Sequence, residues 1–443
     1  MPRNGMVMAL VSSVLLCAAP TRSRAEGAEW SDLYRKVKEL YAKGLYAEAL
    51  PVAKQALKAA EETEGSDHAA VALCMNNLAE LYRIDGDYAK AGDLNKRALA
   101  IREKAFGPKH PIVAASLNNL AGLRMTLGSY AEASRLFKRA LDIQKTELGP
   151  KHPKTVTTQN NLACAYLQLG DYDEAGPLFK QVLATSVKEL GPEHPQVATS
   201  LANLGEFYRI KGDYTEAAPL FTRALAVLQK NFGTNHLYVA TCLSSIAALN
   251  TVRGRYKDAL SDANRALEIR TKALGRNHPD VAHSLNCIAE IHKCSRQYGK
   301  ARPLLERALV IRTEKLGAGH PSVAESLRNL ALLLTLSGEH AKAGPLHKQA
   351  LDAVRKALGP DHPDVALTLC NFAVHHVLQS NYIEARQMLE SALAITQKAL
   401  GVKSPTVAAI RKDLAALSKV TEGPPEEAEL LKQDLRTRPY LTL

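Results

Sequence analysis

Eight histidines recur along the chain at one interval. His68, His110, His152, His194, His236, His278, His320 and His362 stand 42 residues apart, and Ser404 takes the ninth place. Imidazole is the commonest metal ligand and the side chain that titrates near neutral pH, so a periodic histidine invites metal or acid–base chemistry. Geometry argues against a metal. Zinc ligands sit ~2 Å from the ion, whereas packed helix axes are ~8–10 Å apart, so loops one repeat apart do not converge on one ion. His375 and His376 are adjacent, and adjacent helical positions do not share a face. We expect no metal site and no cofactor. No nucleophile with its base and no paired-carboxylate pocket stands out from the periodic positions, so we expect no enzyme activity.

The histidines belong to a phrase. "ELGPKHP", Glu147 to Pro153, returns as "ELGPEHP" 42 residues later, and its glycine falls at Gly65, Gly107, Gly149, Gly191, Gly233, Gly275, Gly317, Gly359 and Gly401. Other positions keep the same step. Ala49, Ala91, Ala133, Ala175, Ala217, Ala259, Ala301, Ala343 and Ala385 form one series; Tyr46, Tyr88, Tyr130, Tyr172, Tyr214, Tyr256, Tyr298 and Tyr382 form another, with His340 as its exception. A fixed period of this size marks a stacked repeat architecture.

Each unit has helical period. From Pro111 to Leu127 the stripe is Val113, Leu117, Leu120 and Ala121; after Gly128 it restarts as Tyr130, Ala133, Phe137, Ala140, Leu141 and Leu148. A short connection makes the two helices antiparallel neighbours. The glycine suits a left-handed position past a helix end. The second proline suits the first turn of the next helix, and the histidine before it is biased to the extended backbone of an N-cap. The phrase is a stop signal followed by a start signal. A hairpin built this way keeps one apolar face that only the next hairpin covers.

The repeats fill nine hairpins from about Trp30 to Leu400, followed by a helix from Pro405 to about Lys419 that caps the stack. Residues 26–420 are thus one solenoid. Residues 421–443 form a tail, expected to be partly mobile, with room for one short helix around Glu426 to Leu435. Residues 1–25 have the pattern of a secretory signal: Arg3, an apolar core from Val7 to Ala19, and small residues at Ser23 and Ala25 before Glu26. This predicts export to the periplasm or medium, with retention as an uncleaved membrane anchor as the alternative. A lipoprotein reading at Cys17 is opposed by the large Leu16 before it.

Cleavage would remove Arg3, Arg22 and Arg24 and take the formal charge from +12 to +9. Much of that charge repeats on the second helix, at Arg97, Arg139, Arg223, Arg265 and Arg307, where a solvated outer face that favours acidic partners is expected. Few aromatics are interleaved to stack bases, so nucleic acid is not expected as a partner. Cys74, Cys164, Cys242, Cys287, Cys294 and Cys370 all fall on first helices. Cys287 and Cys294 share one helix and lie ~10.5 Å apart along it, beyond the ~7 Å limit for a bridge. Free thiols are expected.

The stretch "VAASLNNLAGLRMTLGSYAEASRLFKRALDIQKTELGPKHP", Val113 to Pro153, resembles the 42-residue tetratricopeptide repeat of kinesin light chains. The Leu-Asn-Asn-Leu-Ala run, the Gly-x-Tyr-x-Glu-Ala turn and the Leu-Gly-x-x-His-Pro loop all match, over about nine-tenths of the chain. The resemblance implies an all-α tetratricopeptide superhelix whose first helices line a concave groove; nothing here resembles the heavy-chain-binding coiled coil. It also implies that the asparagines at Asn77, Asn119, Asn161, Asn203, Asn329 and Asn371 face that groove and hold an extended peptide. A side-chain amide both donates and accepts, which matches a peptide group without reading its sequence. The opposing reading has these asparagines bond neighbouring helices and fix the stacking. The series departs at Ser245, Cys287 and Asp413, so two shorter binding stretches are expected. Arg83, Arg209 and Lys293, six residues further along the helix, are placed to meet an acidic partner. An assembly scaffold that binds folded domains on its outer face is the alternative function.

Overall fold

The computed structural model describes residues 29–42, 45–422 and 424–437. The signal reading of residues 1–25 lies outside the described residues. Among these there are twenty helices and no strand. Eighteen pair off as nine hairpins: Glu29–Ala42 with Tyr46–Glu64, Ala69–Asp85 with Tyr88–Phe106, Pro111–Thr126 with Tyr130–Glu147, Pro153–Leu169 with Tyr172–Leu190, Pro195–Lys211 with Tyr214–Phe232, Leu237–Val252 with Tyr256–Leu274, Pro279–Cys294 with Tyr298–Leu316, Pro321–Leu336 with His340–Leu358, and Pro363–Leu378 with Tyr382–Leu400. Pro405–Glu422 and Pro425–Thr437 follow. The chain forms two compact units, one of residues 29–166 with 177–185 and the other of residues 167–176 with 186–437.

The repeated phrase works as helix punctuation. Each of the eight histidines accepts, through Nδ1, a hydrogen bond from the backbone N–H two residues on, at 3.0–3.3 Å. Ser404 does the same for Thr406 at 3.3 Å. These caps satisfy one of the donors that a helix start leaves open. The glycines correct one expectation. Their φ is positive, but ψ is 150° at Gly65 and 169° at Gly233, which is the extended glycine region and not the left-handed helical one. The chain must stride across to the next hairpin here, and an extended ψ carries it forward. Inside hairpins, where it must reverse, Gly86 and Gly212 are left-handed helical, with ψ of 3° and 0°.

The packing follows the same columns. All nine alanines from Ala49 to Ala385 are 0 % exposed, so each second helix meets its neighbours through a methyl group. Between hairpins, buried polar pairs recur at one spacing: Arg102 donates to Ser116 at 2.8 Å, Arg270 to Ser284 at 2.6 Å and Arg312 to Ser326 at 2.9 Å, while Ser186 and Ser200 share a bond of 3.3 Å. At the C-terminal end, Ile410, Leu417 and Leu435 from the last two helices close over Leu369, Leu389 and Ala392 of the ninth hairpin.

One place departs from the columns. His347 stands where earlier repeats have Phe137, Phe179, Phe221 and Leu305, and His375 where they have Leu123, Phe207, Ile291 and Leu333. Both are buried, and the Thr335 hydroxyl lies 2.9 Å from His347 Nε2 and 3.3 Å from His375 Nδ1. The His347 ring is stacked on Phe372, and His340 and His376 each have a ring centroid within 5.6 Å of that of His375. Burial, then His375 and His376, pushes His347 down to about 3; burial, then His376 and His340, pushes His375 down to about 4. An unfolded imidazole protonates at about 6.5. Below that pH, and down to the folded values, the unfolded chain binds more protons, so stability is full above about pH 6.5 and falls as the pH is lowered. Thermal unfolding followed by circular dichroism should therefore show a melting temperature that declines from about pH 6.5 to 4. The double variant His347→Leu, His375→Leu, which restores the apolar columns, should flatten that decline; an unchanged slope would contradict this account.

Candidate functional site

Several first helices carry two adjacent polar residues in their middle, as at Asn76–Asn77, Asn118–Asn119, Asn160–Asn161, Ser244–Ser245 and Arg328–Asn329. Asn118 donates to Thr158 Oγ1, on the first helix of the next hairpin, at 2.9 Å, and its oxygen accepts from that hydroxyl at 3.2 Å. The Asn76 amide, with its oxygen toward Arg102, accepts from that guanidinium at 2.7 and 3.2 Å and donates to Asn95 at 3.3 Å. At the same column, Ser244 accepts from Arg270 at 3.0 Å. Asn118 thus bonds the next hairpin, whereas Asn76 and Ser244 bond the second helix of their own; Asn286, in the same column, has no partner at either polar atom among the described residues.

The second residue is the one singled out by the sequence. Asn77, Asn161, Asn203 and Asn371 are buried, and Asn119 and Asn329 are half-buried. A helix turns about 100° per residue, which points each of them away from the bonds its neighbour makes. Asn77 Nδ2, Asn161 Oδ1 and both polar atoms of Asn371 have no hydrogen-bond partner among the described residues. Such groups are rare in folded proteins. Asn77, Asn119 and Asn161 lie in one compact unit, and Asn203, Asn329 and Asn371 in the other.

The three cations are each held by a carboxylate three residues earlier on the same helix. Arg83 makes a forked pair with Glu80 at 2.7 and 2.8 Å, Arg209 with Glu206 at 2.6 and 2.7 Å, and Lys293 Nζ lies 2.7 Å from Glu290. The pairing is written in the repeats. Where the glutamate is absent, as at Gly122, Cys164, Ala248, Leu332 and Val374, the later position is Met125, Leu167, Thr251, Thr335 and Val377. Burial works against the Lys293 charge, but Glu290 outweighs it and holds the ammonium above its ordinary range. An acidic partner would have to displace these carboxylates, so the face offers amides more readily than bare positive charge.

No group of three or more His, Cys, Asp or Glu among the described residues is placed to hold a metal ion. The capping bonds also commit the Nδ1 lone pair of all eight repeat histidines. The six cysteines of the described residues are free thiols. Sequence reasoning missed the division of labour between the paired asparagines and the buried arginines Arg102, Arg270 and Arg312. The recurrence of serine 14 residues after each of these arginines was the available signal.

The family model described as tetratricopeptide repeat matches in eight overlapping segments, residues 39–104, 72–146, 112–186, 165–228, 196–272, 243–314, 280–343 and 322–398. A Podosopora anserina protein described as a kinesin light chain with nearly identical TPR-like repeats is 28% identical, over 46% of this chain and 96% of its own, with a TM-score of 0.42. BtubC (BKLC) from P. vanneervenii is 22% identical, over 53% of this chain and 92% of its own, with a TM-score of 0.41. A Rap protein complexed with Competence and Sporulation Factor is 14% identical, over 82% of this chain and 99% of its own, with a TM-score of 0.49. No curated protein matches the chain.

The two asparagines of a pair should respond differently to truncation. Asn118→Ala removes the bonds to Thr158 and should cost about 1–2 kcal/mol in denaturant unfolding. Asn119→Ala should change stability by no more than about 0.5 kcal/mol. Equal losses at both positions would contradict the division.

Proposed function

Because the chain belongs to the tetratricopeptide repeat family, we propose that it is a non-enzymatic protein-interaction scaffold whose first helices hold an extended peptide by its backbone. The observation behind this is the set of buried amide atoms at Asn77, Asn161 and Asn371 that have no hydrogen-bond partner among the described residues. A buried polar atom without a partner costs ~1–3 kcal/mol. The free protein carries that cost in the second, fourth and ninth hairpins. A peptide backbone supplies the missing partners, since each residue brings one N–H and one C=O. Recognition of this kind is tolerant of sequence, and the break at Ser245 and Cys287 favours two separate stretches of contact.

The alternative, docking of folded domains on the outer face, gives the asparagines no part in binding. Peptides selected on the immobilised full chain from a random display library separate the two readings. The triple variant Asn77→Ala, Asn119→Ala, Asn161→Ala should bind selected peptides at least about tenfold more weakly, given ~0.5–1.5 kcal/mol per hydrogen bond lost. Its melting temperature should not fall, because truncation strands nothing in the free protein and removes the unpartnered atoms of Asn77 and Asn161. A large drop in melting temperature with affinity unchanged would make the asparagines structural and overturn the reading.

We further propose that the scaffold acts after export, on the strength of the signal pattern in residues 1–25. Terminal sequencing of the protein recovered outside the cytosol should begin at Glu26. Recovery only from the cytosol with the leader intact would defeat that proposal.

A further inference from the structure

One of the breaks in the asparagine series is chemically distinct. Cys287 occupies the asparagine position of the seventh hairpin, and it is part-exposed, whereas Cys74, Cys164, Cys242 and Cys370 are buried. His283 stands one helical turn earlier, and its Nε2 lies 3.7 Å from the Cys287 sulfur. A residue four positions away shares the helix face, so the imidazole and the thiol are presented together.

A second group completes the cluster. Arg270, from the second helix of the sixth hairpin, is buried and bonded only to hydroxyls: Thr241 at 3.4 Å, Ser244 at 3.0 Å and Ser284 at 2.6 Å. Among the described residues it has no carboxylate at ion-pair distance. Its counterpart one repeat later, Arg312, has Glu325 at 3.3 Å. A buried guanidinium without a carboxylate is costly, and a thiolate at position 287 is an anion that offsets it.

We infer that Cys287 is a nucleophilic thiol and a site of thiol–disulfide exchange, with His283 taking its proton. The thiol proton passes to His283 Nε2, and the thiolate attacks one sulfur of a small disulfide. A new sulfur–sulfur bond forms at Cys287 as the old one breaks, and the departing thiolate takes up the proton. The product is a mixed disulfide at the asparagine position, and the only oxidant consumed is the small disulfide itself. This inference does not depend on peptide binding.

The electrostatic surroundings agree with the geometry. Burial raises the Cys287 thiol, but His283 and then Arg270 outweigh it and bring it below the ordinary thiol range, with Glu325 opposing them. The thiol in turn raises His283, against burial, Arg270 and Arg312. Cys294, on the same helix and also part-exposed, provides the contrast. Its thiol donates to Glu290 at 3.6 Å, and burial followed by Glu290 pushes it up to about 12. Burial alone pushes Cys164 to about 12, and burial with Asp262 pushes Cys242 to about 12.

The test is reaction of the native full chain with dithiodipyridine, a neutral aromatic disulfide, from pH 6 to 9, with the labelled residue mapped by mass spectrometry. One fast equivalent should map to Cys287. It should vanish in Cys287→Ser and persist in Cys294→Ser. In His283→Gln, with circular dichroism confirming the fold, the rate at pH 6 should fall about tenfold and its inflection should move toward that of an ordinary thiol. Labelling of Cys287 only on unfolding, or a pH profile unchanged by His283→Gln, would overturn the inference.

Discussion

The hairpins depend on helices approaching through alanine. A methyl group and no more stands at Ala49, Ala91 and their seven successors, all fully buried. A larger side chain at any of them overpacks the junction. On the first helices Val71, Val113, Val197, Val239, Val281 and Val365 are likewise inaccessible. Arg102, Arg270 and Arg312 each reach a serine on the next hairpin. Stability in such a stack is a sum of local and neighbour terms, so a defect at one alanine stays at one junction.

Two consecutive asparagines show how little separates structure from function on this scaffold. Asn118 is spent on Thr158, while the next residue along the helix is turned away and leaves its amide for something else. Where the second position is most enclosed, as at Asn371, neither polar atom is satisfied. A fold selected only for stability would place an apolar residue there. A buried polar atom without a partner costs ~1–3 kcal/mol.

The punctuation of the fold was legible in the sequence because it is local. His–Pro and the preceding glycine act on their own backbone, so the period yields hairpins, caps and the final covering helix without reference to distant residues. The ψ of the linking glycines was not legible, since the direction of the next hairpin sets it. Nor was the lack of a carboxylate at Arg270, because partner identity across helices decides it; the pairing of Arg83 with Glu80, three residues apart on one helix, was there to be read. The histidines at 347 and 375 were visible as departures from apolar columns, but only the stacking of the eighth and ninth hairpins joins them through Thr335. For the candidate site, the asparagine column was legible from periodicity, and the resemblance singled out the second amide of each pair; the burial of Asn77, Asn161 and Asn371 was not legible.

Nine nearly equivalent ledges pose a problem during folding, since the exposed face of one hairpin suits the back of several others. Misdocking is the characteristic hazard of repeat proteins. The polar column that joins hairpins answers it. Arg102, Arg270 and Arg312 are followed 14 residues on by Ser116, Ser284 and Ser326, whereas Ala60 and Leu228 are followed by Cys74 and Cys242, and Thr396 by Ile410. An arginine ledge docked at Cys242 or Ile410 meets a thiol or an alkyl group where its proper neighbour presents a serine hydroxyl, a penalty the proper pairing does not incur. The column therefore acts as an address, rejecting wrong neighbours while the shared alanines accept them all.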